Sequence, residues 1–208
     1  MRQKNQEARR TQLAAAAREV LLERGAVGVR VKDVAGRAGV SPSSLLYYYP
    51  DFEELLFEVA RDAIDRYAEH RAEAVRRLSD PLERLRLAIH LGVPTGPDDE
   101  ESRILYELDA FTGTSPGFAS LSTSFFDRQV ALYEAVFESG AARGDFDLSE
   151  RAVDVARAMI ALEDGLGLQV VIGHPAIDST AAEAILVRFA AAAAGIAAAE
   201  LSGALVLR

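Results

Sequence analysis

Apolar residues recur every three to four positions along most of this chain, with polar residues between them. In the first such segment Leu13, Ala17, Val20 and Leu21 share this spacing until Gly25 interrupts it. One apolar stripe at this period is the pattern of an amphipathic helix. No stretch alternates apolar and polar residues for long enough to indicate a strand. The pattern therefore predicts an all-α protein of about nine helices.

Interruptions of the pattern mark where these helices begin and end. Residues 1–8 precede the first periodic segment and are predicted to form a flexible arm. A long amphipathic helix is predicted from Asp51 to Leu78, and the residues from Gly92 to Glu101 form the clearest loop. The last two long helices are predicted at residues 149–173 and 180–199, the second of them rich in alanine.

The residues between Val31 and Tyr49 carry the signals of two short helices joined by a tight turn. Gly39 supplies the left-handed residue that ends a first helix, and Ser41 followed by Pro42 is an N-cap with proline in the first helical position. Pro50 disfavours helical geometry at the residue before it, so the second helix is short. This arrangement is a helix-turn-helix, whose second helix fits the DNA major groove.

The segment GRAGVSPSSLLYYYPDFEELL and the helix before it, together residues 9–56, resemble the DNA-binding segment of the TetR family of bacterial transcriptional regulators. The resemblance implies an N-terminal three-helix DNA-binding head, residues 1–50, and a larger helical ligand-binding and dimerisation body, residues 51–208. It also implies a homodimer joined by a four-helix interface. The helices of that interface would be residues 149–172 and 179–200 of each copy.

The candidate DNA-contacting residues lie just before and within the two short helices. Ser41 and Ser43 can bond phosphate or base edges, and Tyr47 and Tyr48 match family positions that face the DNA backbone. No Arg, Lys, Asn or Gln occurs between Val40 and Asp51, which excludes bidentate recognition of a purine by this helix. Sequence preference would come from serine, thymine-methyl contacts, groove shape and the N-terminal arm. The candidates are Arg30, Lys32, Ser41, Pro42, Ser43, Ser44, Tyr47 and Tyr48.

The net charge of −9 would argue against a nucleic-acid partner if it were evenly distributed. Residues 1–50 hold nine basic and four acidic residues, or +5, whereas the remaining residues hold 14 basic and 28 acidic, or −14. The basic end therefore coincides with the helix-turn-helix, as expected for a protein whose head approaches phosphates. The plainer interpretation of Arg2, Lys4, Arg9 and Arg10 is a solvated tail.

The chain has no cysteine and no apolar segment behind its N-terminal residues, so we expect a cytoplasmic protein without a membrane span. Dinucleotide-binding, Walker and hydrolase-elbow motifs are missing. None of the three histidines has a carboxylate three residues upstream, which excludes the Glu-x-x-His pattern of di-iron bundles. We expect no cofactor, no metal and no enzymatic activity. A helical enzyme or small-molecule carrier, in which the N-terminal helices are only structural, remains the alternative.

The predicted body contains polar and aromatic residues on otherwise apolar helices, the mixture typical of a small-molecule pocket. The acidic members favour a cationic or hydroxyl-bearing ligand. The residues from Leu162 to Gly173 also resemble a segment of TetR-family bodies grouped with the choline-responsive repressor BetI. The candidate ligand-binding residues are Tyr106, Asp109, Phe111, Phe125, Tyr133, Glu163 and Gln169.

The resemblance therefore predicts a TetR-type transcriptional regulator. We expect a dimeric repressor that binds a palindromic DNA operator and is released by an unidentified small molecule in the C-terminal domain. The second alternative is a member of the same family that activates transcription, or one that has lost regulation, and the sequence does not separate these.

Overall fold

Ten α-helices form the fold of this computed structural model, which describes residues 2–113 and 115–202. Within these residues no strand occurs, and the predicted all-α class is confirmed. The helices are α1 (Arg2–Gly28), α2 (Val31–Arg37), α3 (Pro42–Tyr48), α4 (Phe52–Arg76), α5 (Pro81–Gly92), α6 (Glu100–Asp109), α7 (Pro116–Arg143), α8 (Ala152–Val171), α9 (Ser179–Ala193) and α10 (Ala198–Leu201).

The first helix differs from its prediction at both ends. It begins at Arg2, so the flexible arm predicted at residues 1–8 is wrong from residue 2 onward. The reason is that this stretch contains no glycine or proline, and a helix formed by the following turns extends through it. At the other end Gly25 adopts φ 69° and ψ 173°, which breaks the regular helix as predicted, but one more turn continues to Gly28.

The alanine-rich C-terminal helix is shorter than predicted. It ends at Ala193 rather than near Ala199, and Gly195 follows with φ +67°. A Cβ atom on Gly195 would lie 2.7 Å from the backbone oxygen of Asp147, and the Asp147 amide donates to the Ala194 carbonyl over 2.9 Å. This contact between distant segments turns the chain, which then forms the short helix α10.

Packing divides the chain into two units, and the first contains the helix-turn-helix. Unit 1 comprises residues 2–66, 103–113 and 115–122, which are α1 to α3, the first part of α4, most of α6 and the start of α7. Its core is formed by fully buried aliphatic side chains, among them Leu13, Leu21, Leu45, Leu55 and Ile104. The packing groups residues of α6 with the N-terminal helices, so unit 1 is not the same set of residues as the predicted DNA-binding head. The functional division predicted at residue 50 therefore stays a prediction.

Unit 2 comprises residues 67–102 and 123–202. Its core includes Leu85, Ile89, Tyr133, Met159 and Leu186, all fully buried. Helices α8 and α9 pack side by side, and α5 and α10 both pack against α9. Throughout the described residues, we find no helix with the length and apolarity needed to cross a bilayer.

Candidate functional site

The turn between α2 and α3 follows from its predicted glycine. Gly39 has φ +67°, and the amide of Val40 donates to the Ala35 carbonyl over 2.9 Å, which is the hydrogen bond of a Schellman motif. Ser41 then caps α3, because its Oγ accepts a hydrogen bond of 3.1 Å from the Ser44 amide. Both ends of the turn are therefore fixed by local hydrogen bonds.

Helix α3 buries one face and presents the other to solvent. Leu45 and the following Tyr49 are fully buried. The Tyr47 side chain is 69% exposed, and Ser43 is exposed one turn before it. An exposed polar face on a helix anchored by its opposite face is the arrangement needed to enter a DNA groove.

Most of the candidate DNA-contacting residues are accessible in unit 1. Ser44 and Tyr48 are half-buried, and the Tyr48 ring meets the Tyr47 ring edge-on at 5.3 Å between centroids. The Arg30 guanidinium donates to the carbonyls of Val27 and Val29, although the residue is exposed. The exposed candidates are Arg30, Lys32, Ser41, Pro42, Ser43 and Tyr47.

Arg10 holds the end of α3, a role that the sequence interpretation of a solvated tail missed. Its guanidinium lies 4.1 Å from the centre of the Tyr49 ring, 2.7 Å from the Glu58 carboxylate and 3.2 Å from the Tyr48 carbonyl. Arg10 precedes Leu13 by three residues, which places it beside the buried stripe of α1. That spacing could have indicated the structural role of Arg10, but the neighbouring basic residues suggested a solvated tail instead.

A buried polar cluster occupies the middle of unit 2, around Arg71 of α4. Arg71 is 2% exposed, and its guanidinium donates to the carboxylate of Glu163 over 2.7 Å and to the side-chain oxygen of Gln129 over 2.7 Å. It also donates to the Ala88 carbonyl, and its carbon lies 5.2 Å from the centre of the Tyr133 ring. The Tyr133 hydroxyl donates to the same Glu163 oxygen. One arginine thus joins α4 to α5, α7 and α8.

Gly92 of α5 and Tyr67 of α4 complete this cluster. A Cβ atom on Gly92 would lie 2.2 Å from the Glu163 Oε1 atom, so only glycine leaves room for the pair at that position. The Tyr67 hydroxyl donates to the Leu91 carbonyl over 3.2 Å, and the Tyr67 ring meets the Phe125 ring edge-on at 5.7 Å. The cluster therefore combines a carboxylate, a guanidinium and aromatic rings.

Burial changes the proton affinities of this cluster. It raises the pKa of the Glu163 carboxyl, and the Arg71 guanidinium opposes part of that rise. Burial also raises the pKa of Tyr133 well above its ordinary value and the pKa of Tyr67 to about 12. Both phenols are consequently hydrogen-bond donors at neutral pH.

The structure separates the predicted ligand-binding residues into two groups. In unit 2 Tyr133 and Glu163 share a hydrogen bond, Phe125 packs against Tyr67, and Gln169 is half-buried on α8. The other three belong to unit 1. Tyr106 is half-buried on α6, Phe111 packs on Phe118 with 5.1 Å between ring centres, and the exposed Asp109 accepts a 3.4 Å hydrogen bond from Ser122.

The prediction also missed Tyr67, Arg71 and Gln129, which line the cluster in unit 2. Arg71 follows Ala63 and Tyr67 at intervals of four residues, so this spacing places it on the inward-facing stripe of α4. Charged side chains are mostly exposed in folded proteins, so Arg71 was not among the candidates. Among the residues that the structure describes, no three His, Asp or Glu side chains converge as a metal site would require.

Two family models match the chain. Residues 13–59 match the model of bacterial regulatory proteins of the tetR family, and residues 81–195 match that of the C-terminal domain of BetI-type transcriptional repressors. The second match alone covers more than half of the 208 residues.

Solved structures of bacterial regulators are similar over most of the chain. A putative transcriptional regulator from Saccharomonospora viridis in complex with choline is 25% identical, with a TM-score of 0.80 over 88% of this chain and 95% of that one. A transcriptional regulator from Rhodococcus sp. is also 25% identical, with a TM-score of 0.76 over 96% and 99% of the two chains.

A curated relative is similar over a shorter range. The transcriptional activator FasR from Mycolicibacterium smegmatis is 31% identical over 105 residues, which are 50% of this chain and 48% of that protein. The present chain thus matches about half the length of this relative. The proteins that these comparisons name are transcriptional regulators.

Proposed function

Because this chain belongs to the TetR family of bacterial transcriptional regulators, we propose that it is a homodimeric repressor that a small cationic molecule releases from a palindromic operator. The observation that carries the DNA-binding part is the geometry of α3. Its buried Leu45 and Tyr49 hold Ser43 and Tyr47 outward, and the hydrogen bonds of Ser41 and Gly39 fix its start.

The proposed DNA contacts divide into positioning and recognition. Lys32 and Arg30 supply positive charge, and Tyr47 and Tyr48 supply hydroxyl groups for the phosphate backbone. Ser41, Ser43 and Ser44 face base edges beside Pro42, whose ring offers an apolar surface to thymine methyl groups. Because α3 has no bidentate side chain, part of the sequence preference comes from groove shape.

The outer face of α8 supports the proposed dimer. Ala158, Ala161, Gly165, Leu168 and Ile172 repeat at intervals of three and four residues and are half-buried or exposed in the single chain, with Leu168 41% and Ile172 63% exposed. An apolar stripe of this kind on the surface indicates a protein interface. Small residues in the stripe let a second copy approach closely.

The adjoining surface also supports the proposed dimer. An open groove of about 410 Å³ lies between α8 and α9, with polar and acidic residues beside apolar ones. It is lined by Ser149, Glu150, Asp154, Val155, Ala158, Phe189, Ala192 and Ala193. A second copy related by a two-fold axis would bury both the groove and the stripe in a four-helix interface, because a two-fold interface uses the same surface of each partner.

The proposed effector site is the cluster of Glu163, Tyr133, Phe125 and Tyr67 around Arg71. A carboxylate beside aromatic rings is the chemistry that recognises a cation, and here it already holds a guanidinium. The similar Saccharomonospora protein binds choline, a quaternary ammonium ion with a hydroxyl group. Choline is therefore the first molecule to test on this chain. Half-buried Gln169, on the same helix as Glu163, is proposed as a further polar contact.

The proposed release mechanism is geometric. Two recognition helices in a dimer must lie about 34–36 Å apart, one turn of DNA, to occupy successive major grooves. Helix α4 follows α3 directly and carries Arg71, so a ligand that rearranges the cluster changes the tilt of α4. The ligand acts only by binding more tightly to the arrangement that does not fit DNA.

Fluorescence anisotropy tests the proposal with the full-length chain and labelled DNA from the promoter region upstream of its gene. We expect saturable binding by a dimer at physiological salt and release by choline. The uncharged isostere 3,3-dimethylbutanol should leave the complex intact. Release by both compounds would contradict the cation site, and binding by a monomer would contradict the dimer. A reporter gene under the same promoter distinguishes repression, which we propose, from activation.

A further inference from the structure

Helix α6 supplies two side chains to the broken end of α1. The Glu107 carboxylate accepts a hydrogen bond of 2.7 Å from the Ala26 amide, and the Arg103 guanidinium donates one of 2.8 Å to the Leu22 carbonyl. Glu107 and Arg103 are one helical turn apart, so they project from the same face of α6. All four residues belong to unit 1.

These two contacts replace one backbone hydrogen bond of helix α1. In a continuous helix the Ala26 amide would donate to the Leu22 carbonyl, four residues earlier. Gly25 adopts φ 69° and ψ 173°, which turns the next peptide group out of the helical orientation. The donor and the acceptor that α1 loses at its kink are satisfied instead by Glu107 and Arg103.

The kink itself is built around the Glu107 carboxylate. A Cβ atom on Gly25 would lie 3.0 Å from the Glu107 Oε2 atom, and the positive φ already favours glycine there. The turn that leads into the helix-turn-helix follows within a few residues. The Val29 amide donates to the Gly25 carbonyl over 3.1 Å, and the next residue, Arg30, is the N-cap of α2.

We propose that Glu107, supported by Arg103, is a positioning residue for DNA binding. Helix α6 thereby contributes to the function of the DNA-binding unit. The Glu107 carboxylate fixes the kink after Gly25, the kink sets the start of α2, and α2 carries the turn that orients α3. Loss of the carboxylate leaves the Ala26 amide without its acceptor and frees the α1–α2 connection. This inference adds a residue outside the helix-turn-helix to the proposed function and does not depend on the effector.

The test compares Glu107→Ala with Glu107→Gln in the full-length chain. The glutamine retains a side-chain oxygen that can accept from the Ala26 amide, and Glu138→Ala removes one exposed carboxylate of α7 as a control for charge. We expect Glu107→Ala to bind the wild-type operator about tenfold more weakly, a change equal to the loss of one well-placed hydrogen bond. Glu107→Gln and Glu138→Ala should stay within about twofold of wild type.

Hydrogen exchange of the free protein separates this inference from the proposed operator binding, because it needs no DNA. Glu107→Ala should accelerate exchange by about tenfold at residues 22–34 and leave α8 and α9 unchanged. Wild-type affinity together with wild-type exchange would overturn the inference, as would a lower melting temperature with unchanged affinity of the folded protein. Equal losses in all three variants would assign the effect to charge and also overturn it. If Glu107→Ala does not fold, the shortened Glu107→Asp takes its place with the same expected direction.

Discussion

The guanidinium of Arg71 and the carboxylate of Glu163 lie 2.7 Å apart, with both side chains buried in unit 2. A buried ion pair is costly to break, because the remaining charge is left without water and without an opposite charge. We expect Glu163→Gln and Arg71→Met each to lower the free energy of unfolding by about 3–5 kcal/mol. Urea denaturation measures the free energy of unfolding of each variant.

The double variant Arg71→Met/Glu163→Gln provides the control for that prediction. With both charges removed, its loss of stability should be well below the sum of the two single losses. Glu73→Gln breaks the exposed pair with Arg77 and should leave stability nearly unchanged. Additive losses in the double variant would show that the two side chains act independently.

Alkaline pH should destabilise the protein through Tyr67. Burial raises its pKa to about 12, above the value near 10 of an unfolded chain. A raised folded pKa means that the stabilisation is complete below pH 10 and is lost as the pH rises to about 12. The lost free energy is about 3 kcal/mol, since two pKa units correspond to roughly that amount.

The variant Tyr67→Phe measures how much of the stability lost at alkaline pH comes from Tyr67. The variant loses the hydrogen bond to the Leu91 carbonyl, which costs about 1 kcal/mol at neutral pH. Between pH 10 and 12 its stability should fall less steeply than that of wild type. Parallel stability curves for the two proteins across this range would contradict the pKa assigned to Tyr67.

The exposed stripe on α8 should be required for dimerisation. Leu168→Glu with Ile172→Glu places two charges where the second copy would pack, while both positions are exposed in the single chain. Sedimentation velocity should show a folded monomer with unchanged helical circular dichroism and no operator binding. The matched control is Phe126→Glu, which alters an exposed apolar residue on another helix, α7, and should remain dimeric.

Lys32 and Tyr48 should contribute to DNA affinity rather than to sequence preference. Phosphate contacts position a protein on DNA without reading its sequence. Lys32→Ala with Tyr48→Phe should weaken binding to operator and unrelated DNA alike, and reduce the slope of log K against log salt by about 1. Arg76→Ala, an equal change of charge in unit 2, should alter neither quantity. A loss confined to the operator would instead assign these residues to base recognition.

The helix-turn-helix was predictable because its signals are local. Gly39, Ser41 and Pro42 act within a few residues of the turn, and each has the role that the sequence indicates. Family resemblance extended the prediction to the regulatory class, which the family matches confirm.

The features that the sequence did not reveal depend on contacts between distant residues. The break at Gly195 is set by Asp147, and the roles of Arg10 and Arg71 are set by Glu58 and Glu163. Periodicity places such residues on a helix face but does not identify the distant residue that each of them contacts. In addition, a charged residue on an apolar stripe is usually assigned to the surface.

Selection of bound DNA from a random pool tests the central claim most directly. The dimer should enrich a palindrome whose half-sites are centred about 10 base pairs apart, and the same selection with a saturating effector should recover no enriched sequence. Enrichment of no sequence by the free, folded protein at physiological salt would contradict the account, because α3 would then not be a recognition helix.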